Sequence, residues 1–182
     1  MIEGRTETRS AILAAARTLF LERGYAGASV RSVASAAGVD AALPIHYFGS
    51  KEALFLEALP QMPDYQPLLG GDPATLGERF VRFVLDAEDH LRPLYLTLLR
   101  ASDAGAVSAQ LRHLHETTFV APLETRLTGP GADLRARLAA ALVGGLMYAL
   151  WVVQDERLLA EDHEAIIGRY GALLQQLVDP AL

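Results

Sequence analysis

The sequence predicts an all-α protein: a three-helix N-terminal head containing a helix-turn-helix, and a larger helical body behind it. Three observations carry this. Apolar residues recur at helical spacing along nearly the whole chain, and alternating runs bounded by turn signals are not evident. Short helical segments joined by glycine-containing turns crowd the first third. Residues 60–73, "PQMPDYQPLLGGDP", then break the pattern with four prolines and two adjacent glycines, the mark of an irregular connection. The division is residues 1–50 for the head and 51–182 for the body, with 51–59 as a connecting helix.

The elements follow in order. Ile12, Leu13, Ala16, Leu19 and Phe20 share one face of the first helix. Gly24 stops it, and Tyr25 packs back on its end. Ser29 is a suitable N-cap for a second helix, Val30 to about Ala36. Gly38 is the tight point of "AAGVD". Asp40 then caps a third helix beginning at Ala41, which "FGS" ends. Pro44 would be its fourth residue, where the missing N–H forfeits the bond to the carbonyl of residue 40 and disfavours helical angles at Leu43. The expectation is a loosened first turn, or a helix that effectively begins near Pro44. The cost should fall below the roughly 3 kcal/mol of a mid-helix proline. Ser50 caps a fourth helix carrying Leu54, Phe55, Ala58 and Leu59.

In the body, Asp72 caps and Pro73 starts a helix whose buried stripe is Leu76, Phe80, Phe83, Val84 and Ala87. Another helix starts at Pro93. A long one, about Val107 to Leu127, contains Pro122, which should bend it near Thr118. Asp133 caps a helix from Leu134 to about Gln154, and the last helix is about His163 to Val178. Within the former, Leu138 to Val153 is a sixteen-residue stretch without charge. A membrane span needs roughly 20 residues. The expectation is a helix buried on all sides and no membrane partner.

Composition narrows the function. The 182 residues include no cysteine, which excludes disulfides, thiolate metal sites and cysteine nucleophiles and fits a reducing cytoplasm. The start, "MIEGRTETRS", is neither a signal nor a transit peptide. "IEGR" matches a protease recognition sequence, so residues 1–5 carry little weight. The net charge of −6 is uneven: residues 1–51 hold six basic and four acidic groups, the remainder ten and eighteen. A mildly basic head on an acidic body permits DNA contact through the head only. His113 and His115 stand two apart, so they do not share a helix face, and no metal is expected. No serine–histidine–acid or glycine-rich phosphate motif rises above chance. No catalytic residue, enzyme activity or cofactor is therefore expected.

Two short helices around a tight turn form a helix-turn-helix, whose second helix enters the major groove. Residues 12–55, "ILAAARTLFLERGYAGASVRSVASAAGVDAALPIHYFGSKEALF", resemble the tetracycline-repressor (TetR) family of transcriptional regulators. The matching features are the apolar first helix, the glycine-aromatic break, the Ser-Val start of helix two, "ASAAGV" at the turn, "HYF" ending helix three and "SKEAL" opening helix four. The resemblance covers the first third strongly; the remainder matches in being helical and of suitable length. It implies a homodimer, a DNA-binding head, and a body that binds a small molecule, shifts the spacing of the heads and releases DNA.

Position by position, Ser29 can cap a helix and reach a phosphate. Arg31 can contact phosphate or grip guanine O6 and N7. His46, Tyr47 and Lys51 match family positions at the DNA backbone, and Arg5 and Arg9 could form an arm toward the duplex. The base-facing positions implied by the family are Ala41, Ala42, Leu43 and Ile45. None offers a side-chain hydrogen bond, so the third helix should read thymine methyls and DNA shape. In the body, Phe80, Phe83, Tyr95, His115, Phe119, Met147, Tyr148 and Trp151 are candidates to line an apolar effector pocket, or are ordinary core.

The last two helices are too apolar to stand exposed and should form the dimer interface as a four-helix bundle. Gly144 and Gly145 would let backbones approach closely there, or mark a local bend. Two heads so joined should read a palindromic operator in double-stranded DNA, with half-sites spaced by about 34 Å or a multiple. The reading is a repressor released by a small apolar ligand. The alternative is an all-helical binding protein or enzyme whose head no longer reads DNA, which Pro44 and the acidic net charge favour.

Overall fold

The computed structural model describes residues 2–59, 66–103 and 105–179. Residues 60–65 of the proline-rich connection lie outside the described residues. Every regular element among the described residues is helical. The α-helices are α1 (Ile2–Gly27), α2 (Val30–Ala36), α3 (Leu43–Phe48), α4 (Lys51–Ala58), α5 (Gln66–Leu69), α6 (Leu76–Asp86), α7 (Glu88–Arg100), α8 (Gly105–Leu114), α9 (Ala121–Glu124), α10 (Ala132–Tyr148), α11 (Glu156–Leu159) and α12 (His163–Val178), and a 3-10 turn, Pro73–Thr75, capped by Asp72, leads into α6. The chain divides into two compact units, Met1–Met62 with Pro93–Arg112, and Pro63–Arg92 with His113–Leu182.

The first unit is built on α1. Ile12, Ala16, Leu19 and Phe20 are buried together with Val33, Phe48, Leu54, Phe55 and Ala58. Leu94, Leu98, Ala101 and Val107 complete that core. Gly24 interrupts α1 with φ 70° and ψ 173°, as its sequence position predicts. Left-handed φ is cheap only for glycine, so the break is encoded there. It turns Tyr25 onto Phe20 and Phe55, with ring centroids 6.3 and 5.1 Å away.

In the second unit α6 and α12 cross closely, and α10 packs on α12. Tyr170 Oη donates to the Leu142 carbonyl at 2.7 Å, tying α12 to α10. Arg135 donates through Nη1 to the carbonyls of Leu177 and Val178, each at 3.1 Å. A cation at a helix C-terminus satisfies its unpaired carbonyls and its dipole.

Several expectations need correction. Pro93 does not start a helix: α7 begins at Glu88 and carries Pro93 inside it. Asp133 is not the N-cap of α10. Gly131, at φ 70°, holds that place without a side-chain bond, and Asp133 sits in the first turn. There it pairs with Arg137, Oδ1 accepting from Nε at 2.8 Å. The disturbance around Pro122 takes the form of a π-helical turn, His115–Val120, between α8 and α9. The Ala121 N–H donates to the Glu116 carbonyl, one residue beyond α-helical register. Pro122 cannot donate, so widening the preceding turn redistributes the bonds it disrupts.

A second π turn, Ala149–Val153, extends α10, and Gln154 ends it at φ 53°. The continuous helix Ala132–Val153 is thus 22 residues long, and apolar enough to cross a membrane by length and composition. It is not buried on all sides. Leu134, Leu138, Tyr148 and Val153 are 60%, 47%, 50% and 57% exposed, leaving one open apolar face.

Candidate nucleic-acid interface

The helix-turn-helix is assembled from capped short helices. Ser29 caps α2 as expected: its Oγ accepts from the Ser32 N–H at 3.0 Å. The Ser32 hydroxyl completes a capping box by accepting the Ser29 N–H at 3.0 Å. This partner was overlooked in the sequence, because the usual signal is Glu or Gln three residues after the cap. Gly38 takes φ 67° in the turn. Ser50 caps α4, accepting the Ala53 N–H at 3.1 Å.

Asp40 does not cap α3. Its carboxylate accepts the Ala42 N–H at 2.8 Å, making a turn before the helix. The helix itself begins at Leu43, with Ala42 as its N-cap and Pro44 as its second residue. The shift toward Pro44 agrees with one of the two expected outcomes. Its physical reason is that the first N–H groups of a helix lack intrahelical partners, so a proline there forfeits nothing.

Pro44 and Phe48, one turn apart, are buried and fix the inward face of α3. The outward side chains follow from that. Ile45 is 41% exposed. His46, Ala41 and Ala42 are exposed, as are Ser29 and Arg31 at the start of α2. Leu43, Tyr47 and Lys51 are half-buried. The nine DNA-facing candidates therefore fall on the N-cap and first turn of α2, the segment leading into α3, α3 itself and the first residue of α4, and three of them, Leu43, Tyr47 and Lys51, are half-buried.

Several charged groups of this unit are held by partners within it. Arg9 pairs with Glu57, and its guanidinium lies 4.9 Å from the Phe48 ring centroid. That arrangement ties α1, α3 and α4, and it engages Arg9 within the head rather than as a free arm. Arg17 Nε donates to the Ala58 carbonyl at 2.9 Å. Lys51 Nζ lies 4.3 Å from the centroid of Tyr25, whose hydroxyl donates to Glu52. Burial first, and then the Glu52 bond and charge, push the Tyr25 phenol up to about 12. The same bond, led by the Tyr25 donor, holds the Glu52 carboxyl below its ordinary value.

The eight body candidates are scattered. Phe80 and Phe119 line an apolar cavity of about 20 Å³ with Gly77, Leu123, Val143 and Leu174. Trp151 is buried, Phe83 and Met147 are half-buried, and His115 and Tyr148 are exposed. Tyr95 belongs to the first compact unit. Leu123, Val143 and Leu174 were missed because aliphatic core and aliphatic pocket residues look alike in sequence.

Comparison with known proteins agrees with the helix pattern. A profile described as bacterial regulatory proteins, tetR family, matches residues 12–58, and one described as tetracyclin repressor-like, C-terminal domain, matches residues 74–178. An HTH-type transcriptional repressor of Mycobacterium tuberculosis is 32% identical over 143 residues, which is 78% of this chain and 70% of that protein. The repressor AcnR of Corynebacterium glutamicum is 47% identical over 51 residues, 28% of this chain and 27% of AcnR. The crystal structure of a TetR-family regulator from Streptomyces coelicolor A3 superposes with a TM-score of 0.66 at 34% identity, covering 96% of each chain. With both halves of the family's architecture matched in order along the chain, this protein belongs to the tetR family of bacterial regulatory proteins and is a DNA-binding transcriptional regulator.

Proposed function

We propose that the protein is a cytoplasmic, non-enzymatic repressor. It holds a palindromic operator as a homodimer and releases it when a small apolar molecule enters the body. Residues 1–50 are the DNA-binding module, and residues 51–182 serve ligand binding and dimerisation. The observation that carries the DNA reading is the outward face of α3, which presents Ile45 and His46 while Pro44 and Phe48 anchor it.

Ser29, Arg31, His46, Tyr47 and Lys51 are assigned to the phosphate backbone, with Arg31 also able to reach guanine. Ala41, Ala42, Leu43 and Ile45 are assigned to base edges. Their side chains have no polar atom, so they favour thymine methyls. Selection of binding sites from random duplexes tests this. Enrichment of A·T pairs opposite α3, in two inverted half-sites, is the expected result; uniformly G·C pairs there refute it.

Dimerisation is assigned to α10 and α12. Leu134, Leu138, Ala141, Gly145 and Tyr148 form an exposed stripe at helical spacing on α10, and Ala172 and Leu173 are exposed on α12. For the effector, the cavity between α6, α9, α10 and α12 is the starting point. Its lining is apolar, so it suits an uncharged molecule. Ligand sites occupy about 300–1,000 Å³, so a ligand must spread these helices as it enters. Operator-bound protein titrated with small neutral aromatic compounds should let go of DNA, and a bulkier Val143→Phe should abolish that response while leaving DNA binding intact.

A further inference from the structure

We propose that Tyr25 is a positioning residue for Lys51 at the DNA backbone: its ring seats the ammonium, and its hydroxyl keeps the adjacent Glu52 carboxylate out of an ion pair with it. The proposal rests on the reading of Lys51 as a phosphate contact.

Lys51 and Glu52 are neighbours in the first turn of α4. Left to itself, the carboxylate would compete with a phosphate for the ammonium or repel the incoming anion. Instead Glu52 accepts the Tyr25 hydroxyl, and among the described residues Lys51 has no ion-pair partner. A cation over an aromatic face is held by the ring quadrupole, while its outward N–H donors stay open to an anion. A lysine already seated also has less side-chain freedom to lose on binding. The seat is itself rigid. Tyr25 follows the break at Gly24 and packs against Phe20 and Phe55. Phe20 and Phe55 meet edge to face at 5.0 Å beneath it.

The test is equilibrium binding of the full chain to its selected operator across a salt series, for K51Q, Y25F, E52Q and Y25F/E52Q. One phosphate contact contributes about 0.9 to the slope of log K against log salt, so K51Q should lower the slope by that amount. Y25F keeps the ring but frees Glu52 to pair with Lys51, and should weaken binding about two- to fivefold, the scale of one exposed charge pair. E52Q should change little alone, yet should restore Y25F binding to near the wild-type level. That non-additivity is the signature, because a merely structural loss at Tyr25 would lower thermal stability without rescue by E52Q. Y25F binding like wild type, or a double variant as weak as Y25F, overturns the proposal. K51Q with unchanged slope and affinity overturns instead the reading of Lys51 as a phosphate contact. In the unaltered protein, the ε-methylene protons of Lys51 should show an upfield ring-current shift by NMR, in free and DNA-bound states alike. A random-coil shift overturns the proposal even where a variant fails to fold.

Discussion

Gly77 and Gly171 meet where α6 crosses α12, with no room for a side chain on either. A Cβ on Gly77 would lie 2.2 Å from the Gly171 carbonyl oxygen, and one on Gly171 would lie 2.9 Å from the Glu78 Cα. The Gln175 amide locks the crossing. Its Oε1 accepts the Gly77 N–H at 3.0 Å, and its Nε2 donates to the Pro73 carbonyl at 2.9 Å. Gly77→Ala must push the two backbones apart, and overpacking of this kind costs about 1–3 kcal/mol. The expected result is a lower urea midpoint at unchanged m-value. A midpoint equal to wild type would refute the close crossing.

That crossing shows where sequence reading stops. The α6 stripe of Leu76, Phe80 and Val84 was legible from spacing, and each is buried. The cap at Ser29, the break at Gly24 and the last helix from His163 were legible because each depends on neighbours in sequence. The starts of α7 and α10 were not. Pro93 and Asp133 are good helix starters, but packing and the left-handed Gly131 decided otherwise. The head's candidate face was legible as a motif, whereas the partners of Arg9 and Lys51 come from segments 48 and 26 residues away and leave no local signal. The body's cavity was legible only in Phe80 and Phe119, since bulky aromatics stand out and aliphatics do not.

Ser29 has two separable roles. Its Oγ accepts the Ser32 N–H, so Ser29→Ala should cost about 1 kcal/mol of stability. Ser29→Asp keeps a capping oxygen but sets a negative charge toward the duplex. It should fold as stably as wild type in urea denaturation and bind DNA more weakly. Undiminished DNA affinity for Ser29→Asp would remove Ser29 from the interface.

The Tyr25–Glu52 pair predicts two pH effects of opposite sense. The phenol rises from 10.0 to about 12 on folding, so the folded state favours its protonated form. That contribution is complete below pH 10 and is lost as pH climbs through 12. The Glu52 carboxyl falls below its ordinary 4.5, so its contribution is present above that value and fades as pH drops. Melting temperatures across pH 3–12 should show both losses in wild type, and Y25F should show a smaller alkaline one, the remainder coming from Tyr170, whose phenol is also raised by burial. A wild-type alkaline limb identical to that of Y25F would contradict the assignment.

Leu138 is 47% exposed in the middle of the α10 stripe. A lysine there puts a charge into the proposed subunit contact without disturbing the protomer core. Leu138→Lys should sediment as a monomer with near-native helix content and should lose affinity for a two-half-site operator. Gly144→Ala sharpens the point. Within the protomer a Cβ there meets nothing within 4 Å, so weakening of the dimer by that change would point to contact with the partner subunit. A dimeric Leu138→Lys protein would move the interface elsewhere.

Pro44 yields the least intuitive expectation, because replacing a helix proline by alanine usually stabilises. Here the carbonyl four residues back is already engaged, since Asp40 accepts the Leu43 N–H at 3.1 Å, and residue 44 lies in the first turn, where N–H groups lack intrahelical partners. An N–H restored at residue 44 therefore gains no helical bond worth having. The substitution would also free the unfolded chain, worth about 0.4–1 kcal/mol, and strip ring methylenes from a fully buried site at about 0.8 kcal/mol each. Pro44→Ala should destabilise the head by about 2–3 kcal/mol. Its effect on operator binding should be smaller than that of Ile45→Ala, since Ile45 faces outward and Pro44 inward. A stabilised Pro44→Ala protein in urea denaturation would mean that the proline strains α3 rather than starting it.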